Sequence, residues 1–269
     1  MANTKILFVS SEITPYLEET HLSKISRHLP QGIQEKGNEI RTFMPRYGCI
    51  NERKNLLHEV IRLSGQNIII NDNDHPLIIK VASIQVARMQ IYFIDNDDFF
   101  KRKTLFCDEQ NKFFKDNDER AIFFAKGVIE TVKNLGWAPD IIHCHGWFSG
   151  LVPLFIKRYY QDSPFFSNSK VVYSIYNDGF KHKFNTKFTH KLVSTGIPQA
   201  DVEILKTNDY SGISKGAVAY SDAVILGDEI IDDALAGFIK QSGKPVLACQ
   251  NPDSYIEAYA NFYDQILNL

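Results

Sequence analysis

The feature that most limits the fold is the unbroken apolar run Ile6-Leu7-Phe8-Val9 close to the amino end. A strand without polar alternation is buried on both faces, the situation of a parallel sheet covered by helices. After a short loop, residues 21–36 place Leu22, Ile25, Leu29 and Ile33 at helical spacing, and Gly37 stands where a left-handed residue would end that helix. Residues 39–44 read as a second strand. Strand, helix and strand in succession open a doubly wound α/β fold.

Residues 56–95 break the rhythm. The segments 58–64, 66–71, 77–86 and 90–95 are short, β-branched and separated by Asn, Asp, Gly or Pro, which predicts a β-strand insertion with antiparallel or mixed pairing. Helix and strand then alternate again. Residues 119–135, 148–160, 206–221 and 229–241 read as helical; 140–144, 170–175, 223–226 and 245–249 read as strands. A closing helix is expected over 253–267, with Tyr255, Ala258, Tyr259, Phe262 and Ile266 on one stripe. No repeat or low-complexity linker interrupts the chain. The expectation is one Rossmann-like, doubly wound domain with a mostly parallel sheet over residues 1–269.

Composition removes several function classes. A formal net charge of −2 gives no electrostatic basis for binding nucleic acid or an anionic membrane. The apolar runs are too short to span a bilayer. The chain enters its first strand almost at once, with no room for a secretory leader, so a soluble cytoplasmic protein is expected. Cys49, Cys107, Cys144 and Cys249 are scattered without paired spacing and read as reduced, buried thiols.

Ligands of open parallel sheets bind at the carboxyl ends of the strands. The loops after Ser10, Cys144, Ile175 and Leu226 therefore carry the chemistry. The first, from Ser11 to His21, has no glycine, no lysine and three glutamates, the reverse of a phosphate cradle. No glycine-rich dinucleotide or nucleotide fingerprint occurs elsewhere. His143 and His145 could share one face of a strand and bind a metal, but no third ligand follows, so neither metal nor cofactor is expected. His143 reads as a strand residue satisfied by a backbone partner. His145 beside Trp147 suits a sugar, with simple packing of the indole as the alternative. Asp116 reads as a helix N-cap, Asn177 as part of an ordinary turn, and Lys181-His182-Lys183 as a solvated stretch. No Cys–His or Ser–His–Asp arrangement stands out.

Several segments together resemble the bacterial glycogen and plant starch synthases, retaining glucosyltransferases of the two-domain GT-B type. Ile6-Leu7-Phe8-Val9-Ser10-Ser11-Glu12-Ile13-Thr14-Pro15 is similar to that family's V-x-S-E-x-x-P opening. Tyr92-Phe93-Ile94-Asp95 and Phe100-Lys101-Arg102 resemble Y-F-I-D … F-x-R, and Asp116-Asn117-Asp118-Glu119-Arg120 resembles D-N-x-E-R. Pro139-Asp140-Ile141-Ile142-His143-Cys144-His145-Gly146-Trp147 is similar to P-D-I-I-H-x-H-D-W. Thr195-Gly196-Ile197-Pro198 and the run from Lys215 to Val224 resemble L-G-L-P and K-x-G-x-x-Y-A-D-x-V. Order and spacing over residues 5–228 make the combination specific.

The resemblance implies the N-terminal half of a GT-B fold and a role in α-glucan (glycogen) metabolism, with ADP-glucose as the family's donor. It makes Glu12, Asp116, His145, Trp147, Asn177 and Lys215 candidate substrate-binding residues, none of them assigned as catalytic. Where the family has K-T-G-G-L-A-D-V, the chain carries Glu18, Thr20, His21 and Lys24 at altered donor-loop positions. Gly146 replaces an aspartate, Phe148 and Tyr176 replace histidines, and Gly212 replaces an asparagine. The family's pair of glutamates separated by seven residues is absent, and the donor domain is expected to lie outside the chain. These departures imply a glucan-binding or regulatory module without autonomous transferase activity, its partner an α-glucan or maltooligosaccharide. A subunit of a split ADP-glucose-dependent α-1,4-glucan synthase, completed by a separate donor-domain protein, is the alternative. An α/β protein binding an unrelated small ligand is the other.

Overall fold

The computed structural model describes residues 3–269. In chain order the elements are β1 (Lys5–Ser10), α1 (His21–Glu35), β2 (Glu39–Pro45), β3 (His58–Glu59), β4 (Asn67–Ile70), β5 (Asn73–Pro76), β6 (Ile78–Ile84) and β7 (Met89–Asp95). They continue with α2 (Asp97–Phe100), α3 (Asn117–Asn134), β8 (Ile141–His145), α4 (Val152–Leu154), β9 (Lys170–Ile175), α5 (Phe188–Ser194) and α6 (Gln199–Val202). The last are α7 (Tyr210–Tyr220), β10 (Ala223–Leu226), α8 (Asp233–Gln241), β11 (Val246–Leu247) and α9 (Tyr255–Leu267).

Nine strands form one sheet in the order β11-β10-β9-β8-β1-β2-β7-β6-β3. Every pairing from β11 to β7 is parallel; β6 and β3 add antiparallel at one edge. The expected α/β class is what forms. The chain runs outward from β1 through β2 and β7, then returns to place β8 on β1's other side. That reversal is the topological switch point, and it opens a crevice beyond Ser10 and His145, which are register partners.

Alternation along each strand divides the core. Leu7, Val9, Ile142, Cys144 and Tyr173 face the larger cluster under α3, α4 and α7. Ile6, Phe8, Ile141, Val172 and Ile225 face α1 and α9, where Leu29, Ile33, Tyr259, Phe262, Tyr263 and Ile266 cover them. The closing segment thus docks on its own sheet, with Tyr263 added to the expected stripe, Ala258 only half-buried and Tyr255 at its margin.

Four expectations need correction. β7 pairs in parallel with β2, so it belongs to the main frame and the insertion stops before it. The insertion also holds a polar strand, β5 (Asn73–Pro76), which carries no hydrophobic pattern and pairs with β4 in a separate ribbon. The helix expected over 148–160 is broken into a 3-10 turn (Trp147–Ser149), α4 and a wide π turn (Phe155–Tyr159). Pro153 lacks an N–H and fits only the first turn of a new helix. Of the four thiols only Cys144 is buried; Cys49 is exposed. Among the described residues no helix is long and apolar enough to cross a membrane.

Candidate functional site

A cavity of about 390 Å³ opens at the switch point. Its walls come from all four strand-end loops: Ser11, Glu12, Thr20 and His21 after β1, Trp147 after β8, Tyr176, Asn177 and Asp178 after β9, and Asp228 after β10. A wider cleft of about 560 Å³ lies at the opposite end of the strands, between Thr4, Lys36 and Asp264. The fold's ligand-binding edge is the carboxyl end, which favours the smaller cavity.

The β1 loop is held from within. Thr20 is the N-cap of α1 in a reciprocal capping box: Ser23 N–H donates to Thr20 Oγ1 at 3.0 Å and Thr20 N–H to Ser23 Oγ at 2.8 Å. Thr20 Oγ1 also donates to Glu12 Oε2 at 2.8 Å. Burial raises the Glu12 carboxyl above its ordinary range, and this hydrogen bond partly opposes the shift. His21 Nδ1 lies 2.7 Å from Asp228 Oδ1, while Asp228 Oδ2 accepts the Asn177 N–H at 2.7 Å. One carboxylate therefore ties the loops after β1, β9 and β10 together. Lys24 pairs with Glu19 at 2.9 Å on the surface, and Glu18 lines an adjoining cavity that shares Glu12 and Thr20 with the first.

Below the cavity floor lies a neutral histidine pair. The rings of His143 and His145 are 3.9 Å apart on the α9 side of β8, both fully buried. His143 is not satisfied by backbone: Nδ1 meets Tyr263 Oη at 2.6 Å and Nε2 meets Ser174 Oγ at 2.7 Å. The nearest hydroxyls at its depth come from side chains of β9 and α9, because the strand's backbone groups are used in the ladder. His145 Nδ1 meets Tyr176 Oη at 3.0 Å, and Nε2 has no partner. Burial pushes His145 down to about 3 and His143 well below its usual value, so both are uncharged at neutral pH.

Candidates from the sequence divide accordingly. Glu12, Trp147 and Asn177 reach the cavity wall. His145 is beneath it. Trp147 is only 3% exposed, clamped by Phe106, Phe148 and Phe180 with ring centroids 4.7–5.1 Å away, so it supports the wall and offers no free stacking face. Asp116 precedes α3 but caps nothing: it is gripped by Arg102 through hydrogen bonds of 2.7 and 2.6 Å, away from the cavity. Lys215 sits on α7, off the wall. The altered positions Thr20 and His21 are on the wall, Glu18 and Lys24 are not.

Asp178 and Asp228 are wall residues without a sequence signal of their own, and Tyr176, which stands where the family has a histidine, joins them on the wall. Asp178 is half-buried; its Oδ2 accepts the Trp147 N–H at 3.0 Å, and Tyr210 Oη approaches Oδ1 at 3.3 Å. Burial raises its carboxyl to about 7. Its turn-like context, Asn177-Asp178-Gly179, hid it. The wall carries three carboxylates and no lysine or arginine. Among the described residues no group of three or more His, Cys, Asp or Glu could hold a metal ion.

Comparison with known proteins agrees with this architecture. A family model described as starch synthase catalytic domain matches residues 5–231. The glycogen synthase of Chlorobium luteolum is 36% identical over 256 residues, covering 93% of this chain and 51% of that protein. The glycogen synthase of Chlorobaculum tepidum is 38% identical over 228 residues, covering 78% and 47% respectively. The catalytic domain of starch synthase IV from Arabidopsis thaliana, bound to ADP and acarbose, superposes with a TM-score of 0.73 at 17% identity, over 94% of this chain and 53% of that one. The chain spans about half the length of the curated relatives it matches. It belongs to the starch synthase catalytic domain family of GT-B proteins and corresponds to the N-terminal half of its glycogen synthase relatives.

Proposed function

We propose that this chain binds an α-glucan or maltooligosaccharide at the switch-point cavity and does not by itself transfer glucose from ADP-glucose. The observation that carries the reading is the charge and occupancy of the cavity wall. Glu12, Asp178 and Asp228 face it without a lysine or arginine, and His21, bound to Asp228, fills space that the family leaves to paired glycines. A diphosphate needs cations or close backbone amides, and carboxylates nearby oppose it. Neutral sugar hydroxyls instead donate to carboxylates, and the buried rings of Trp147 and Tyr176 back the wall that carries those carboxylates. Kinship with glycogen synthases supports α-glucan as the sugar class.

Isothermal titration with maltoheptaose and with ADP-glucose tests this directly. The expected result is saturable binding of the oligosaccharide and none of the nucleotide sugar. Micromolar binding of ADP-glucose would instead favour a subunit of a split synthase. Binding of neither would return the chain to the class of proteins recruited to an unrelated ligand.

A further inference from the structure

Gly146 follows β8 with φ 72° and ψ 173°, a backbone conformation essentially restricted to glycine. A Cβ built there would stand 2.4 Å from Asp178 Oδ2, so the carboxyl of Asp178 already occupies the space of a residue-146 side chain. The family motif has an aspartate at that position. Here a carboxyl from the neighbouring loop stands against that position and accepts the Trp147 N–H.

We infer that Asp178 is a relocated carboxyl that holds the β8 elbow in place through Trp147 and determines the cavity's specificity by accepting sugar hydroxyls. The sugar half of this inference rests on the glucan reading above; the elbow half does not. Three observations support it. Asp178 lines the cavity. Its Oδ2 accepts the Trp147 N–H from the turn after β8, and its Oδ1 lies 3.3 Å from Tyr210 Oη of α7, whose hydroxyl donates to the Tyr176 carbonyl at 2.6 Å. Glycine at 146 leaves room for it, since any Cβ there would stand 2.4 Å from Asp178 Oδ2.

The groups facing Asp178 are Tyr173 from β9, Tyr176 from the loop after it, Tyr210 from α7, Glu12 from the β1 loop, and the His21–Asp228 pair of the same cavity wall. The first measurement needs no ligand: the backbone amide signal of Trp147 is followed by NMR between acid and mildly alkaline pH. In the parent it should move with a midpoint near neutrality, and in Asp178→Asn that midpoint should vanish. No midpoint in the parent, or one that persists in the variant and so belongs to another group, overturns the elbow assignment. The second measurement is maltoheptaose affinity, expected to fall about tenfold or more in Asp178→Asn from loss of a charged hydrogen-bond acceptor. Equal affinity of parent and variant overturns the specificity role. A parent that binds no maltoheptaose overturns the glucan reading and the sugar half, while the Trp147 titration still decides the elbow. If Asp178→Asn does not fold, the parent's Trp147 midpoint and its response to maltoheptaose at pH values either side of neutrality keep both halves open to refutation, since binding that is indifferent to that midpoint contradicts the specificity role.

Discussion

Tyr263 Oη lies 2.6 Å from His143 Nδ1, which joins the last helix of the chain to a central strand of the sheet 120 residues earlier. Around that bond Tyr259, Phe262 and Ile266 cover Phe8, Ile141 and Val172. An ion pair between Lys36 and Glu257 ties α9 to the end of α1 at the surface.

Removing residues 253–269 is therefore expected to unfold or severely weaken the domain, since it strips Tyr259, Phe262, Tyr263 and Ile266 from the face of the sheet that α9 covers together with α1. The single change Tyr263→Phe leaves the packing and strands a buried imidazole nitrogen. It should cost about 1–3 kcal/mol in urea denaturation. If the truncated protein melts like the parent and loses only a dimer or partner, α9 is an interaction surface and this account of it is wrong.

The buried histidines make the protein acid-sensitive. Their folded-state values lie below the ordinary value of 6.5, so below that pH the unfolded chain binds more protons than the folded one. Stability from these groups is present above pH about 6.5 and is lost as pH falls toward about 3. Asp178 acts in the opposite sense. Its carboxyl is raised from 3.8 to about 7, so its contribution is present at low pH and is lost as pH rises through 7. Denaturation midpoints of the parent, His145→Gln and Asp178→Asn across pH 4–8 separate the two. The two windows overlap with opposite sign between pH about 4 and 6.5, so His145→Gln should lessen the loss of stability on acidification and Asp178→Asn the loss as pH rises. Variants whose midpoints follow the parent's pH dependence unchanged over that range would contradict both assignments.

Lys191 Nζ sits 2.6 Å from Asp118 Oδ2 and 2.8 Å from Glu119 Oε1, with Asp118 fully buried at the start of α3. Burial raises the Asp118 carboxyl, and the hydrogen bond from Lys191 works against that shift. Lys191→Met should destabilise by about 3–5 kcal/mol, because it leaves a buried carboxylate without its cation. Adding Asp118→Asn should recover part of the loss; a double variant no better than the single one would show that packing, not charge, dominates there.

Thr20 has two roles that its sequence position does not separate, helix cap and partner of Glu12. Thr20→Ala should cost about 1 kcal/mol through the cap. Glu12→Gln tests the other role and should leave that stability nearly unchanged. Neither variant, nor His21→Gly, should acquire ADP-glucose affinity in titration calorimetry, since carboxylates still face the cavity in each. Micromolar nucleotide binding by any of them would show that a single side chain, and not the wall's charge, excludes the phosphates.

The sequence by itself determined the frame. The apolar run of β1, the period of α1 closed by Gly37 at φ 93°, and the strands 170–175 and 223–226 are local patterns, and local patterns set the parallel sheet and its helices. Motif order also placed Glu12, Trp147 and Asn177 at strand ends. What only the tertiary structure decided is which of those side chains are exposed and what they touch. His21 finds Asp228 across 207 residues, Asp178 finds the Trp147 amide across 31, and Asp116 is turned aside by Arg102. Spacing along a strand shows that His143 and His145 share a face. It cannot show that α9 roofs that face and leaves both rings dry and neutral, because desolvation comes from distant segments packing together.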